Sequence, residues 1–256
     1  LGAAGIPLTW QQSTTDLSGE RGYCISAATA AGNTKQVVAL RQLPAQCHKF
    51  ARTLIGKYDV AEEIECKVVG ALAKAIDAGD GGKVAAATIK LVRDCCIGCP
   101  PPFNPTLIAS YSQGDAKRYN SGNQYAAIYD ALNLLITQPI AANVKHALTT
   151  LKAASQRVFR WEAWRVAMQL LEELSYAGGN AARQLQEVRN RTRYSTKTNS
   201  RNSISRTLLV KGQEYDECII LGADGMSARN LYVALSRGID KVTVFSQQPV
   251  LTISDF

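Results

Sequence analysis

The sequence has no run of 18 consecutive apolar residues, which is about the length that a membrane-spanning helix needs. We therefore expect no membrane segment. Residues 1–7 have no basic lead-in and no long apolar stretch, so they do not resemble a signal peptide and we expect a cytoplasmic protein. The first residue is not methionine, which predicts that the chain begins inside a longer protein.

Closely spaced pairs of metal-binding residues are also scarce. There are two histidines, and the seven cysteines include one cluster, Cys95, Cys96 and Cys99, in which Cys96 and Cys99 have the spacing of half a zinc site. No second tight pair is present to complete four ligands. We therefore expect reduced thiols, several of them in the core, and a helix end followed by a turn at residues 100–102. A metal site at Cys96 and Cys99 is the less favoured alternative.

A phosphate-binding loop is missing as well. The pattern G-x-x-x-x-G-K-[ST] does not occur, because the Gly-Lys pairs at residues 56–57 and 82–83 lack the earlier glycine and the following Ser or Thr. No acidic Mg²⁺-binding segment follows a predicted strand. By itself the chain is therefore expected neither to hydrolyse ATP nor to bind ATP and Mg²⁺ tightly.

The composition is that of a soluble globular protein with a basic surface. A chain of 256 residues that is 46% hydrophobic can bury one large core or two small ones. The net charge of +8 allows a polyanionic partner such as nucleic acid but does not require one.

Hydrophobic patterns divide the chain into three parts. Short apolar runs predict strands at residues 6–10, 22–26 and 37–40. From residue 41 to residue 194 apolar residues recur at helical spacing. The clearest series of this kind is Trp161, Trp164, Met168, Leu171 and Leu174. Its two tryptophans could stack on bases, but this spacing favours core positions.

Basic residues become frequent after residue 183 and are followed by a polar stretch, residues 195–205, that we predict to be a flexible loop. A basic helix end that leads into such a loop suits contact with a phosphate backbone. The candidate DNA-binding residues are Arg189, Arg191, Arg193, Lys197 and Arg201. The alternative is a solvated linker.

The last part of the chain has an α/β pattern. Apolar runs predict strands at residues 207–210, 217–221 and 241–245, and Ser227 is a plausible cap for a helix that ends near residue 235. Strands of this kind, joined through a helix, predict a parallel sheet that is covered on both faces.

Two segments in this part carry a family resemblance. The run KGQEYD at residues 211–216 resembles the "KGLEFD" motif of UvrD/Rep-type superfamily 1 helicases, and NLYVALSR at residues 230–237 is similar to their last motif, "LYVALTRA". Their order and their strand, loop and helix context also match the family. Residues 5–7, Gly-Ile-Pro, resemble its "GIPY" segment more weakly. One departure is Leu208, which stands where the family has a histidine near single-stranded DNA.

The resemblance implies a fold and a division into domains. We expect an α/β protein in which residues 1–40 and 195–256 form a RecA-like parallel sheet, the second (2A-like) motor domain. A large, mainly helical insertion comparable to the 2B subdomain would interrupt it at residues 41–194.

The resemblance also implies a function, the C-terminal part of an ATP-dependent DNA helicase. Arg237 matches the arginine finger, which neutralises charge on the γ-phosphoryl group, and Glu214 matches the acid that contacts the ribose. Lys211 and Gly212 would belong to the same nucleotide-binding loop. ATP and Mg²⁺ would be held together with an N-terminal motor domain of the same protein. The other partner would be DNA, either single-stranded or at a junction with duplex.

Other interpretations stay open at this point. Taken alone, Arg237 could be a charge at a helix end and Glu214 a solvated turn residue. The chain could also be a non-catalytic DNA- or protein-binding module derived from a helicase domain. A third possibility is a different nucleotide-binding α/β protein with a coincidental similarity of motifs.

Overall fold

The computed structural model describes residues 5–40, 44–54, 57–60, 67–120, 122–194 and 201–251, with the backbone alone at 39–40, 44–46 and 192–194. The chain divides into two compact units. Residues 1–62 and 198–256 form one, which we call the sheet unit, and residues 63–197 form the other, which we call the helical unit.

The six strands described in the sheet unit form a single parallel sheet. Their order across the sheet is β1 (Leu8–Gln12), β8 (Gly238–Ser246), β7 (Tyr215–Leu221), β2 (Gln36–Leu40), β6 (Asn202–Arg206) and β3 (Asp59–Val60). The central strand β7 is buried along almost its whole length, as expected for a strand covered on both faces. The predicted α/β class is thus confirmed, and the parallel sheet is consistent with a RecA-like domain.

The two faces of this sheet differ in chemistry. On one face, Cys218, Ile220 and Val242 pack with Leu231 and Ala234 of α10 (Ala228–Leu235) in an apolar core. Alternate residues of a strand point to opposite faces. The strand register therefore sets polar residues side by side on the other face, where Gln36 pairs with Glu217 and Glu217 pairs with Lys241.

Two predicted elements of the sheet unit are wrong. Residues 22–26 are not a strand but part of α1 (Ser18–Ala30), in which the buried residues are Glu20 and Cys24, one helical turn apart. Residues 207–210 form a short 3-10 helix (Thr207–Val210), and the strand comes before it as β6.

Strand β6 also contradicts part of the flexible loop that was predicted at residues 195–205. Ser203, Ile204 and Ser205 are buried because β6 lies between β2 and β3 in the sheet. Residues 195–200 of that loop lie outside the described residues.

The helical unit begins later in the chain than the predicted insertion. Helix α2 (Pro44–Thr53) packs on β6 and β3, and β3 extends the parallel sheet, so both belong to the sheet unit. The insertion therefore starts near residue 63 rather than near residue 41.

Seven described helices and one short antiparallel strand pair make up the helical unit. The helices are α3 (Lys67–Asp77), α4 (Gly81–Cys95), α5 (Pro105–Ser112), α6 (Ala126–Thr137), α7 (Ala141–Ala153), α8 (Trp161–Ala177) and α9 (Ala181–Tyr194). The strands are β4 (Cys96–Ile97) and β5 (Arg157–Val158). Helix α4 lies at the centre and packs against α3, α5, α6 and α7.

Helical periodicity predicted the core of this unit well. Leu148 and Leu151 of α7 are fully buried, and so is Leu171 of α8. Trp164 is buried, as core packing requires, whereas Trp161 is 45% exposed at the start of the same helix. Across the described residues, every helix is too short or too polar to span a bilayer.

Candidate functional site

The two segments that resemble helicase motifs meet at the amino ends of β7 and β8. The backbone N–H of Tyr215 donates to the carbonyl oxygen of Arg237 at 2.9 Å, which joins the starts of these neighbouring strands. Because the two strands are parallel, Glu214, just before β7, and Arg237, just before β8, lie at the same edge of the sheet.

The side chain of Arg237 is half-buried and makes hydrogen bonds from all three of its nitrogen atoms. Nε donates to the carbonyl oxygen of Val233 at 3.0 Å, and Nη2 donates to the hydroxyl of Ser236 at 2.8 Å. Nη1 donates to the carbonyl oxygen of Gln213 at 2.8 Å and lies 3.5 Å from that of Val210. Arg237 thus satisfies a carbonyl in the last turn of α10 and ties that helix to the segment before β7.

Residues 211–214 form an exposed turn, which we call the edge loop. Gly212 has φ +81°, a left-handed conformation that favours glycine, and a Cβ placed there would have no atom within 4 Å. The Gln213 N–H donates to the carbonyl oxygen of Val210 at 3.0 Å and closes the turn. The side chains of Lys211 and Glu214 are exposed to solvent. The edge loop therefore offers an open backbone flanked by one cation and one carboxylate.

The predicted nucleotide-binding residues Lys211, Gly212, Glu214 and Arg237 thus lie along one short stretch of the sheet edge, joined by the bond from Arg237 to the loop backbone. Leu208, at the position of the family's histidine, is 56% exposed in the 3-10 helix that precedes the loop. Its side chain is apolar and cannot donate a hydrogen bond to a phosphate.

The described candidate DNA-binding residues belong to two different units. In α9 of the helical unit, Arg191 directs Nη2 at both carboxylate oxygens of Glu173, at 2.7 and 2.6 Å. Arg201 lies in the sheet unit and donates to the carbonyl oxygen of Gly32 at 3.3 Å. An arginine already paired with a carboxylate contributes less to phosphate binding, because that ion pair must first be broken.

Arg189, Arg193 and Lys197 are the remaining candidates, and the structure describes a side chain for Arg189 alone among these three. Arg189 has a buried Nε, and its Nη2 lies 3.7 Å from the position that a Cβ on Gly70 would take. The side chain of Arg193 and the whole of Lys197 lie outside the described residues. The helical unit nevertheless has 17 basic and 11 acidic residues, a net charge of +6 out of the +8 of the whole chain.

The cysteine cluster has the local structure of a helix end. Helix α4 ends at Cys95, and Cys96 begins the short strand β4. Burial raises the pKa of the Cys96 thiol to about 12, so it stays protonated near neutral pH. Within the part of the chain that the structure describes, no three His, Cys, Asp or Glu side chains come together as a metal site would require.

A partly buried polar network in the sheet unit was not predicted from the sequence. Lys241 Nζ lies 3.0 Å from Glu217 Oε1 and donates to the Tyr23 hydroxyl of α1 at 2.9 Å. Gln36 Nε2 donates to Glu217 Oε2 at 2.7 Å. The hydrogen bond to Tyr23 and the ion pair with Glu217 raise the pKa of Lys241. The available signal was the acid Glu217 at the start of a run that was predicted to be a buried strand.

Replacing Lys241 with methionine tests this network. The Glu217 carboxylate would stay buried without its cation, so we expect the sheet unit to lose about 2 kcal/mol of stability, less than for a fully buried pair because Lys241 is partly exposed. Hydrogen exchange of the β7 amides should then be about 30-fold faster. The double variant Lys241→Met, Glu217→Gln should lose less stability than Lys241→Met alone, because a neutral amide needs no counter-charge. Asp240→Ala, at an exposed neighbouring site, is the control, and equal exchange in the single and double variants would contradict this account.

No protein-family model matches the sequence, and a search of curated proteins finds no match either. The helicase resemblance therefore depends on the two motif segments and on how the fold arranges them.

Proposed function

We propose that this chain is the C-terminal part of an ATP-dependent DNA helicase of the UvrD/Rep type. The observation that carries the proposal is the hydrogen bond from Arg237, in the second motif segment, to the backbone of the edge loop in the first. Residues 217–229 separate the two segments in the sequence. A shared nucleotide site needs residues from both, and their contact at one edge of a parallel sheet supports that use.

The chemistry of the edge loop fits a contribution to a nucleotide site. The exposed carboxylate of Glu214 is free of steric cover and can accept a hydrogen bond from a ribose hydroxyl. Gly212 leaves room for a ligand to approach the backbone. A guanidinium such as that of Arg237 is suited to the charge of a phosphoryl group, because it presents planar, paired donors.

The other half of such a site would come from an N-terminal motor domain of the same protein. A phosphate loop and carboxylates for Mg²⁺ are the parts that the resemblance assigns to that domain. Bound ATP would supply the free energy that drives closure of the two domains around it. The excess positive charge of the helical unit suits contact with the phosphate backbone of DNA.

A second candidate function is a non-catalytic DNA- or protein-binding module. One observation favours it: the three nitrogen atoms of Arg237 already have partners within the chain, as a residue with a purely structural role would. Under this alternative the edge loop would need no nucleotide.

An enzymatic test separates the two candidates. A protein that joins this chain to a phosphate-loop domain is expected to hydrolyse ATP, faster with single-stranded DNA present, and to separate duplex DNA. Glu214→Ala should raise KM for ATP by about tenfold, the effect of losing one charge-assisted hydrogen bond, with little change in kcat. Asp240→Ala is the matched exposed control. Salt-dependent DNA binding without ATP hydrolysis would favour the binding module instead.

A further inference from the structure

Arg237 has a structural task that the proposed function does not include. A guanidinium has five N–H donors, and here Nε, Nη1 and Nη2 are all in use, by Val233, Gln213 and Ser236. An arginine that contacts a phosphoryl group needs at least one pair of these donors free. In this arrangement each of the three nitrogens already donates to an acceptor of the chain, so a phosphoryl group would compete with these contacts.

We propose that Arg237 is a latch that holds the edge loop against α10. When a nucleotide binds, phosphate oxygens replace the Gln213 carbonyl oxygen as acceptor of the Arg237 guanidinium, and the edge loop loosens. The latch itself follows from contacts within this chain. The exchange step rests on the proposed function, because it requires a nucleotide at the sheet edge.

Geometry explains why arginine is suited to this task. The guanidinium extends from the Val233 carbonyl in α10, through Nε, to the Gln213 carbonyl in the edge loop, through Nη1. These two acceptors belong to segments about twenty residues apart in the chain. A lysine ammonium is a single point on a flexible stem and cannot keep both contacts in a fixed geometry. Lysine in place of Arg237 would therefore keep the charge and lose the latch.

Ser236 orients the latch. Its Oγ accepts from Arg237 Nη2 at 2.8 Å and donates to the Val233 carbonyl at 3.1 Å, so one hydroxyl connects the guanidinium to the last turn of α10. We infer that Ser236 is a positioning residue for Arg237. Alanine at this position would remove the contact, and threonine would keep a hydroxyl there.

Hydrogen exchange of this chain alone tests the latch. In Arg237→Ala we expect the amides of residues 211–214 to exchange at least tenfold faster, and trypsin to cut after Lys211 more readily, while β2 stays protected. Arg237→Lys should behave like the alanine variant. Ser236→Ala should give a smaller increase, and Ser236→Thr should restore slow exchange. Arg229→Ala, which removes an exposed arginine from the same helix, is the matched control and should change nothing.

Two results would overturn the latch. One is unchanged exchange at residues 211–214 in an Arg237→Ala variant that keeps β2 protected. The other is an equal loss of protection in the edge loop and in β2, since Arg237 would then stabilise the whole sheet unit. If Arg237→Ala does not fold, Ser236→Ala gives the decision, because unchanged loop exchange in that milder variant also overturns the latch.

The exchange step needs a nucleotide and a complete site. In a protein that joins this chain to a phosphate-loop domain, a non-hydrolysable ATP analogue should speed exchange at residues 211–214, and Arg237→Ala should abolish that response. Bound analogue without any change in the loop would overturn the exchange step. No binding of the analogue at all would contradict the proposed function, while the result obtained on the chain alone would still decide the latch.

Discussion

Alanine in place of Arg237 is expected to lower kcat for ATP hydrolysis by about 10³-fold in a protein that joins this chain to a phosphate-loop domain. That factor is the lower end of what an arginine finger contributes, and it corresponds to about 4 kcal/mol of transition-state stabilisation. The loss should appear in kcat, because charge on the phosphoryl group develops in the transition state. Steady-state kinetics over a range of ATP concentrations measures kcat and KM separately.

The latch adds a second effect that the same kinetics can separate. Engagement of the nucleotide breaks the contacts of the latch, so a variant in which those contacts are already weak has less to break and should have a lower KM for ATP. Ser236→Ala disturbs the latch but keeps the guanidinium, and should therefore change KM more than kcat. Arg229→Ala serves as the control for a lost surface charge. If kcat of Arg237→Ala stayed within threefold of the unaltered protein, the arginine-finger role would be wrong.

Helices could be predicted from this sequence more securely than strands. The buried positions of α7 repeat every three or four residues over 13 residues, and few other structures have this period. A run of about five apolar residues has no such signature. Residues 22–26 illustrate this, because in α1 they form part of a helix whose buried face is narrow. The prediction of a loop at Ser203 and Ser205 was wrong for the opposite reason. These residues are polar, but in β6 they are buried between neighbouring strands.

The site was predictable only as far as its residues are neighbours in short motifs. The edge loop and Arg237 followed from two segments of six and eight residues. Their contact through the Gln213 carbonyl depends on backbone geometry, which side-chain identity does not specify. The Glu217 and Lys241 pair depends on the register between β7 and β8, and single-sequence patterns do not specify register. Tertiary contacts of this kind need the fold.

The Gly81-Gly82 pair shows the same limit, and it gives the second prediction with a large effect. The sequence pattern singles out Gly82 and Lys83, as an incomplete phosphate loop, and gives no signal for Gly81. In the structure both glycines begin α4, where the backbone of neighbouring segments approaches closely. A Cβ on Gly81 would lie 2.2 Å from the carbonyl oxygen of Ile136, and one on Gly82 would lie 2.5 Å from that of Tyr111. Both oxygens belong to the backbone rather than to a flexible side chain, so the backbone itself must move to relieve the clash.

Gly81→Ala is therefore expected to cost the helical unit about 3 kcal/mol or more, as a buried overpacking substitution does. For a unit of this size that corresponds to a fall in Tm of about 10 °C, measured by thermal unfolding. Amides of α4 and α6 should also exchange their hydrogens faster. Gly70→Ala in α3 is the matched control, because its Cβ would meet only Arg189 Nη2 at an ordinary 3.7 Å. Removing a glycine from a helix interior should make that variant slightly more stable, by up to about 1 kcal/mol. If both alanine variants unfolded at the same temperature, the close approach of α6 to the start of α4 would be disproved.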